Sequence, residues 1–485
     1  MNRTMPIATT IRPLISALLA AAVLSGCALA PTYERPATPQ PAAFKELQDS
    51  ASAGWAPAAP ADTLDRGPWW TLFNDPVLDG LARQVEVSNQ NVAAAVAAYS
   101  QARALVAQQR AALFPTVTLT GGANRNGNGG GNDNNNGRTS NSFRLNIGSS
   151  WEPDVWGRLR AGISAAQANA QASAADLASA RLSAQGELAA DYFSLRSVDA
   201  QRALLATTIE GYQRVLKITQ NRFDVGIVPH SDVYQAQTQL ASAQSDDLTL
   251  ARQRAQLEHA IAVLVGKAPA DFALAPAPWT VTVPDVPVGV PSTLLERRPD
   301  IAASERAVAA ANAQIGLVRA AYFPQIGLTA SYGPSASAIG DLFKASSMAW
   351  ALGLSATETI FNGGANRAAV QGADAAREQA VARYRQTVLD AFADVEDQLN
   401  ATRVLAQQQE LQRQASAAAD KVEEQVLNRY KAGQVSYSEV VQAQVTALNA
   451  RRALVQTQGN RQTTAVALIQ SLGGGWHADQ LTAQE

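Results

Sequence analysis

"RFDVGIVPHSDVYQAQ" (residues 222–237) and "RYKAGQVSYSEVVQAQ" (residues 429–444) carry one pattern twice. Eight of the sixteen aligned positions are identical, and Phe223/Tyr430 and Asp232/Glu439 match in kind. The match continues on both sides. "RAALFPTVTLT" (110–120) parallels "RAAYFPQIGLT" (319–329), "WEPDVWG" (151–157) parallels "TETIFNG" (357–363) more weakly, and "LVG" (264–266) sits where "SLGG" (471–474) does. The offset stays between 206 and 209 residues, the signature of an internal duplication. The 485 residues thus divide into a first repeat (69–266), a Pro-rich linker (267–291), a second repeat (292–473) and a short tail (474–485), preceded by an N-terminal region (1–68).

Each repeat reads helix, strand, loop, strand, long helix, turn, helix. In the first, Asp75 is placed to cap a helix with Pro76 at its first position; the helix is expected to run to Leu113, where Pro115 stops it. "RRPDIAASE" opens its counterpart, with Pro299 near the start. The long helix begins just past Gly157 and meets no proline before Pro229, about 65 residues or roughly 100 Å of helix. Ala166, Ala170, Ser173, Leu177, Ala180 and Ala184 recur at coiled-coil spacing, small enough for close helix approach. A plain coiled-coil stalk has the same periodicity.

The strands add what a stalk lacks. Phe143, Leu145, Ile147 and Trp151 alternate with Arg144, Asn146, Gly148 and Ser150; Trp350, Leu352 and Leu354 alternate with Ala349, Ala351, Gly353 and Ser355. A soluble sheet on a core alternates this way, and so does a membrane barrel with lipid outside and water inside. Four strands cannot close in lipid alone, because an open edge there leaves backbone groups unpaired. In a membrane the chain must oligomerise: two copies give eight strands and three give twelve. Eight-stranded barrels are filled by their own side chains, so small interior residues favour twelve and a channel. The hairpin loops are expected at residues 124–138, rich in Gly and Asn, and at 333–346.

The N-terminus is a targeting segment. Arg3 and Arg12 precede an apolar stretch (14–26) too short to span a bilayer, which reads as a signal peptide over residues 1–26. It ends in "LSGC" (24–27), a lipobox, the site where Cys27 is acylated and the preceding segment is cut off. Cys27 is the only cysteine, so no disulfide forms within a mature chain. Ala28 is not the Asp of inner-membrane retention, so sorting to the outer membrane is expected. Residues 27–68 then form a lipid anchor and extended strap. No other stretch of about 18 apolar residues follows. The balance of 39 Lys+Arg against 41 Asp+Glu excludes a phosphate-neutralising surface. His230, His259 and His477 are scattered, and no nucleophile or phosphate-loop motif appears, so no enzyme is expected. Met348 is the only methionine left after cleavage, so no soft-metal relay is visible.

Together, "LSGC" at 24, "PTYERP" at 31, "WWTLFNDPVLDGL" at 69, "RPDI" at 298, the paired "FP" at Phe114 and Phe323, and the duplicated turn resemble the TolC-type outer-membrane efflux factors, in their NodT-like lipoprotein branch. The likeness covers essentially the whole chain. It implies a homotrimer, mainly α with a transmembrane β part: twelve strands in an outer-membrane β-barrel, four per subunit, and a coiled α-helical barrel in the periplasm. It implies an exit duct of a tripartite efflux pump, partnered by a periplasmic adaptor and an inner-membrane transporter, with no cofactor beyond the lipid on Cys27. A type I protein-secretion duct is the rival within the family, and a non-channel coiled-coil lipoprotein the rival outside it; the lipobox and "RPDI" favour small-molecule efflux.

The resemblance makes the duplicated turns the periplasmic tips where the adaptor docks, through Arg222, Phe223, Gly226, Ser231 and Asp232 in one and Arg429, Tyr430, Gly433 and Ser438 in the other. Local chemistry fits a turn: Gly226 and Gly433 suit the positive φ of a helix end, Arg222 and Arg429 the negative end of a helix dipole, and Ser231 and Ser438 are placed to cap the next helix. The retained "QAQ" beyond each turn points to docking in addition to turn-making. The family's constriction falls on Glu439 and Gln442. Three copies of Glu439 would form a cation-attracting ring, held by Arg–carboxylate pairs between neighbouring tips, while Gln442 stands where the family often has Asp. The second tip is expected to gate and the first mainly to dock.

Overall fold

The computed structural model describes residues 29–39, 41, 43–48, 68–127, 139–286 and 294–476. Cys27, His477 and the tip of the first strand hairpin lie outside them. After a helical turn at Lys45–Gln48 the chain forms α1 (Pro76–Ser88), α2 (Gln90–Ala111), β1 (Thr116–Gly127), β2 (Thr139–Trp151), α3 (Arg158–Asp224) and α4 (His230–Leu264). The second half forms α5 (Pro299–Arg319), β3 (Gln325–Ala336), β4 (Met348–Thr357), α6 (Ala365–Lys431) and α7 (Tyr437–Ser471). The halves agree in length as well as order: α3 and α6 each have 67 residues, and α4 and α7 each have 35. No helix among the described residues is long and apolar enough to cross a membrane.

Helix limits follow local chemistry. Asp75 caps α1 by accepting from the Val77 and Leu78 amides. The expected single helix to Leu113 is in fact two. The Asn89 side chain accepts from the Asn91 and Val92 amides and donates to the Leu264 carbonyl, so a second N-cap is built between α1 and α2. The start of α3 explains the "WEPDVWG" motif. Both Asp154 oxygens accept helix amides, from Leu159 and Arg160 at 2.9 Å each, and Gly157 takes φ 77°. No proline interrupts the 67 residues that follow, so the helix continues for about 100 Å. Of the expected seam, Ala170, Leu177 and Ala184 are buried, but so are Ala165, Ala168, Ala175, Leu188 and Ala189. The packed face is therefore wider than a two-stranded seam.

The chain divides into two compact units. One holds residues 1–37, 99–173 and 304–384, and contains the sheet and part of the strap. Here Gly316 leaves room for Ala30: a Cβ at Gly316 would lie 2.5 Å from the Ala30 Cβ. Asn312 donates to the Pro31 carbonyl, Tyr33 bonds Glu305 and Arg35 bonds the Tyr384 hydroxyl. The "PTYERP" stretch is thus pinned along α5 rather than loose.

The other unit holds residues 38–98, 174–303 and 385–485. "WWTLF" is buried at Trp69, Trp70 and Phe73, with Phe73 and Phe193 rings 4.7 Å apart and the Tyr192 hydroxyl on Asp75 at 2.6 Å. Arg298 of "RPDI" grips Asp300 with two nitrogens and also bonds the Ser471 carbonyl. The linker is held too: Arg196 and Arg254 bond the Ala275 and Leu274 carbonyls. A core of Val198, Leu205, Tyr212, Ala243, Leu250 and Leu448 packs α3, α4 and α7.

The sheet has strand order β1-β2-β3-β4, all antiparallel. Among the described residues its outer strands, β1 and β4, keep one unpaired edge each. Strand pairing extends further than the expected loops allow, to Gly127 in β1 and Ala336 in β3.

Candidate functional site

Two features stand out, the sheet and the paired turns. The register sorts the strand residues onto two faces. Leu119 pairs Ile147, Ile147 pairs Tyr332, Tyr332 pairs Trp350, and Trp151 pairs Leu328, which pairs Leu354. One continuous face is therefore apolar and aromatic. The other carries Thr118, Asn146, Gly148, Ser331, Thr329 and Gly353, since side chains alternate along a strand. Among the described residues no core covers the apolar face: Leu119, Trp350, Leu352 and Leu354 are each at least 68% exposed. An exposed apolar stripe of this extent marks a membrane or partner surface. The soluble-sheet alternative required this face to be packed, and it is not.

The two turns are built alike. Gly226 has φ 74° and Gly433 φ 75°. In the first, the Gly226 amide bonds the Phe223 carbonyl and the Ile227 amide the Arg222 carbonyl; in the second, Gly433 bonds Tyr430 and Gln434 bonds Arg429, all at 2.8–2.9 Å. Both are Schellman caps, which satisfy the last carbonyls of α3 and α6. The next helices start earlier than expected. Pro229 and Ser436 occupy the cap positions, which places Ser231 and Ser438 inside the first turn, not at the cap. In α7 the Glu439 carboxylate reaches back to the Ser436 amide at 3.4 Å, a stretched capping box; Ser438 Oγ contacts Ser436 Oγ at 2.8 Å.

The matched arginines differ. Arg222 Nη1 donates to the Tyr430 carbonyl at 2.7 Å, and its guanidinium lies 4.7 Å from the Tyr430 ring centre. Arg222 thus links the first turn to the second. Arg429 is exposed and makes no ion pair among the described residues, and no Arg–carboxylate pair forms at the turns within one chain. Tyr430 is the hub. It is 2% exposed, clusters with Val215, Ala236, Tyr437 and Val440, and its hydroxyl meets Thr219 Oγ1 at 3.3 Å. Burial pushes the Tyr437 hydroxyl up, with Tyr430 and Asp232 adding to the shift. Tyr437 differs from His230 at the matching place of the first turn, a difference visible in the sequence; sequence reasoning missed Thr219, for which the change of Phe223 to Tyr430 between copies was the available signal. In the first turn Phe223, His230 and Tyr234 stack edge to face at 4.2–4.5 Å, with Val225 and Ile227 exposed.

"QAQ" has a packing reason at its centre, because Ala236 and Ala443 are both buried between helices. Glu439 and Gln442 lie three residues apart on the exposed face of α7, opposite buried Val440, Ala443, Gln444 and Ala447.

These features have known counterparts. The outer membrane efflux protein family profile matches residues 81–267 and 290–474. The chain is 30% identical over 472 residues to the probable efflux pump outer membrane protein TtgC of Pseudomonas putida, covering 96% of each. It is 30% identical over 461 residues to the cation efflux system protein CusC of Escherichia coli, covering 94% of this chain and 97% of that one. The structure of the outer-membrane channel OprN superposes with a TM-score of 0.85 at 28% identity, over 93% of this chain and 100% of OprN. With two matched repeats, a two-faced sheet and paired helical turns, this chain belongs to the outer membrane efflux protein family.

Proposed function

We propose that three copies of this chain close a twelve-stranded barrel in the outer membrane and act as the passive exit duct of a tripartite efflux pump. The observation that carries this is the four-stranded sheet with two open edges and an uncovered apolar face. A lone sheet of this kind in lipid would leave the β1 and β4 edges unpaired at several kcal/mol per group; pairing β4 of one copy with β1 of the next removes both edges. Twelve strands with Ser, Thr and Gly on the inner face leave a water-filled lumen. The duplicated halves would give each subunit two helical hairpins, and three subunits six, around a periplasmic tunnel. Cys27 would carry the lipid that tethers the strap. The chain does no catalysis; the cargo would be chosen by the inner-membrane transporter. Native mass spectrometry of the detergent-extracted protein tests the assembly: a mass of three chains is expected, and a monomer or dimer would overturn it.

In this duct the turns are the adaptor-facing tips. The first tip offers Phe223, Val225, Ile227 and Tyr234 as an apolar docking surface beside Arg222, Gly226, Ser231 and Asp232. The second, with Arg429, Tyr430, Gly433 and Ser438, bears the gate. Three Glu439 carboxylates would make a cation-preferring ring with Gln442 as a neutral layer one turn on. Glu439→Gln separates charge from capping, because Gln also completes a capping box. Loss of cation preference in bilayer recordings with unchanged thermal stability is expected. Unchanged preference would remove Glu439 from the gate.

A further inference from the structure

We infer that Arg144 forms a ring of three guanidinium groups in the barrel lumen, an anion-attracting layer that sets ion preference at the outer half of the duct. This rests on the trimeric barrel proposed above. The described strand residues carry only two charged side chains, Arg125 in β1 and Arg144 in β2. The register places them on opposite faces. Arg144 pairs with Gly122 and with Ser335, in line with Thr120, Asn146 and Ser331 on the polar face. Arg125 pairs with Asn141, in line with Ala123 and Phe143 on the apolar face. Arg144 is therefore the one charge on the polar, lumen-side face of the four strands.

Three details give that charge reach. Arg144 is exposed and makes no hydrogen bond or ion pair among the described residues. Its cross-strand neighbours are small, and the space where a Gly122 side chain would lie has no atom within 4 Å. No carboxylate occurs on any of the four strands to neutralise it. Strands 4.8 Å apart and tilted about 40° put the wall of a twelve-stranded barrel roughly 12 Å from its axis. That radius is comparable to the Debye length of about 10 Å at 0.1 M salt, so three inward guanidinium groups act on the whole cross-section. Charged rings of one sign select ions of the other, and a guanidinium stays charged at every working pH. The residue sits five positions from the loop-side start of β2 at Thr139, so an anion entering from the loop side meets it before the shared helical tunnel. The class of ligand is a multivalent anion, such as a phosphorylated or polycarboxylated solute.

The test is a planar-bilayer recording of the full-length protein with inositol hexakisphosphate added on the loop side. Wild type should be blocked in a concentration-dependent way. Arg144→Gln should raise the half-blocking concentration at least tenfold and shift the reversal potential in a KCl gradient toward that of potassium. Arg144→Lys should keep most of the block, and Arg125→Gln, on the lipid face, should leave it unchanged. Channels of normal size whose block and reversal potential ignore Arg144→Gln would overturn the ring while leaving the duct intact. Absence of channels in the wild type would overturn the duct and the ring with it.

Discussion

Arg222 and Arg429 hold matching places in the duplicated turn, yet only Arg222 crosses to the other hairpin. Replacing Arg222 with Ala removes a charge-assisted hydrogen bond to the Tyr430 carbonyl at 2.7 Å and a cation–π contact at 4.7 Å. A hydrogen bond involving a charged group contributes about 1.5–3 kcal/mol, and a cation–π pair on the half-buried Arg222 at least about 0.5–1 kcal/mol. The link between the two turns therefore weakens by about 2–4 kcal/mol, which multiplies the population of separated tips roughly 30- to 1,000-fold at 1.36 kcal/mol per decade. Arg222→Lys should recover only part, since an ammonium cannot lie flat on the ring and reach the carbonyl as a planar fork does. Arg429→Ala should change stability by no more than about 0.5 kcal/mol, as for an exposed side chain without partners. The assay is the swelling rate of proteoliposomes in oligosaccharides of increasing size. Arg222→Ala should admit larger sugars, faster, than wild type or Arg429→Ala. Equal permeability of the two variants would refute the cross-turn latch.

Three further outcomes are expected. Leu352→Arg puts a charge on the lipid face at about 2–4 kcal/mol per chain near the membrane midplane and should deplete trimers from the outer-membrane fraction, whereas Ala351→Arg, on the opposite face, should assemble normally. Gly433→Ala forces a Cβ into φ 75° at about 1–2 kcal/mol and should speed tryptic cleavage at the exposed Lys431, while Gly211→Ala, in open space inside α3, should not. Burial and the neighbouring Glu187 raise the Asp191 carboxyl from about 3.8 to about 6. The folded state then favours the protonated form, so stability should fall as pH rises from about 4 to 6 and stay lower above; Asp191→Asn should remove that slope from thermal melts.

Much of the fold was legible because its signals are local. Prolines bound the helices of the first repeat, glycines end the long helices of both repeats, and period-two alternation marks the strands. The break at Asn89 was hidden because no Gly or Pro interrupts the pattern there; only an Asn able to cap gives it away. The helix starts after both turns lie two residues earlier than expected, because Ser231 and Ser438 look like caps while Pro229 and Ser436 already adopt the extended backbone of the cap position. The site was less legible than the scaffold. Identical residues in duplicated turns read as equivalent, and the difference between Arg222 and Arg429 appears only once Tyr430 is seen buried beneath one of them. Likewise the alternation in β2 singles out Arg144, but only the register across four strands makes it the lone charge on the polar face.

The most direct test of a trimeric outer-membrane duct is the conductance of purified wild-type protein added to a planar lipid bilayer. Three subunits closing twelve strands predict discrete, long-lived current steps of uniform size, each from one inserted trimer. A protein that binds the bilayer and never conducts would contradict the channel and leave a coiled-coil lipoprotein in its place.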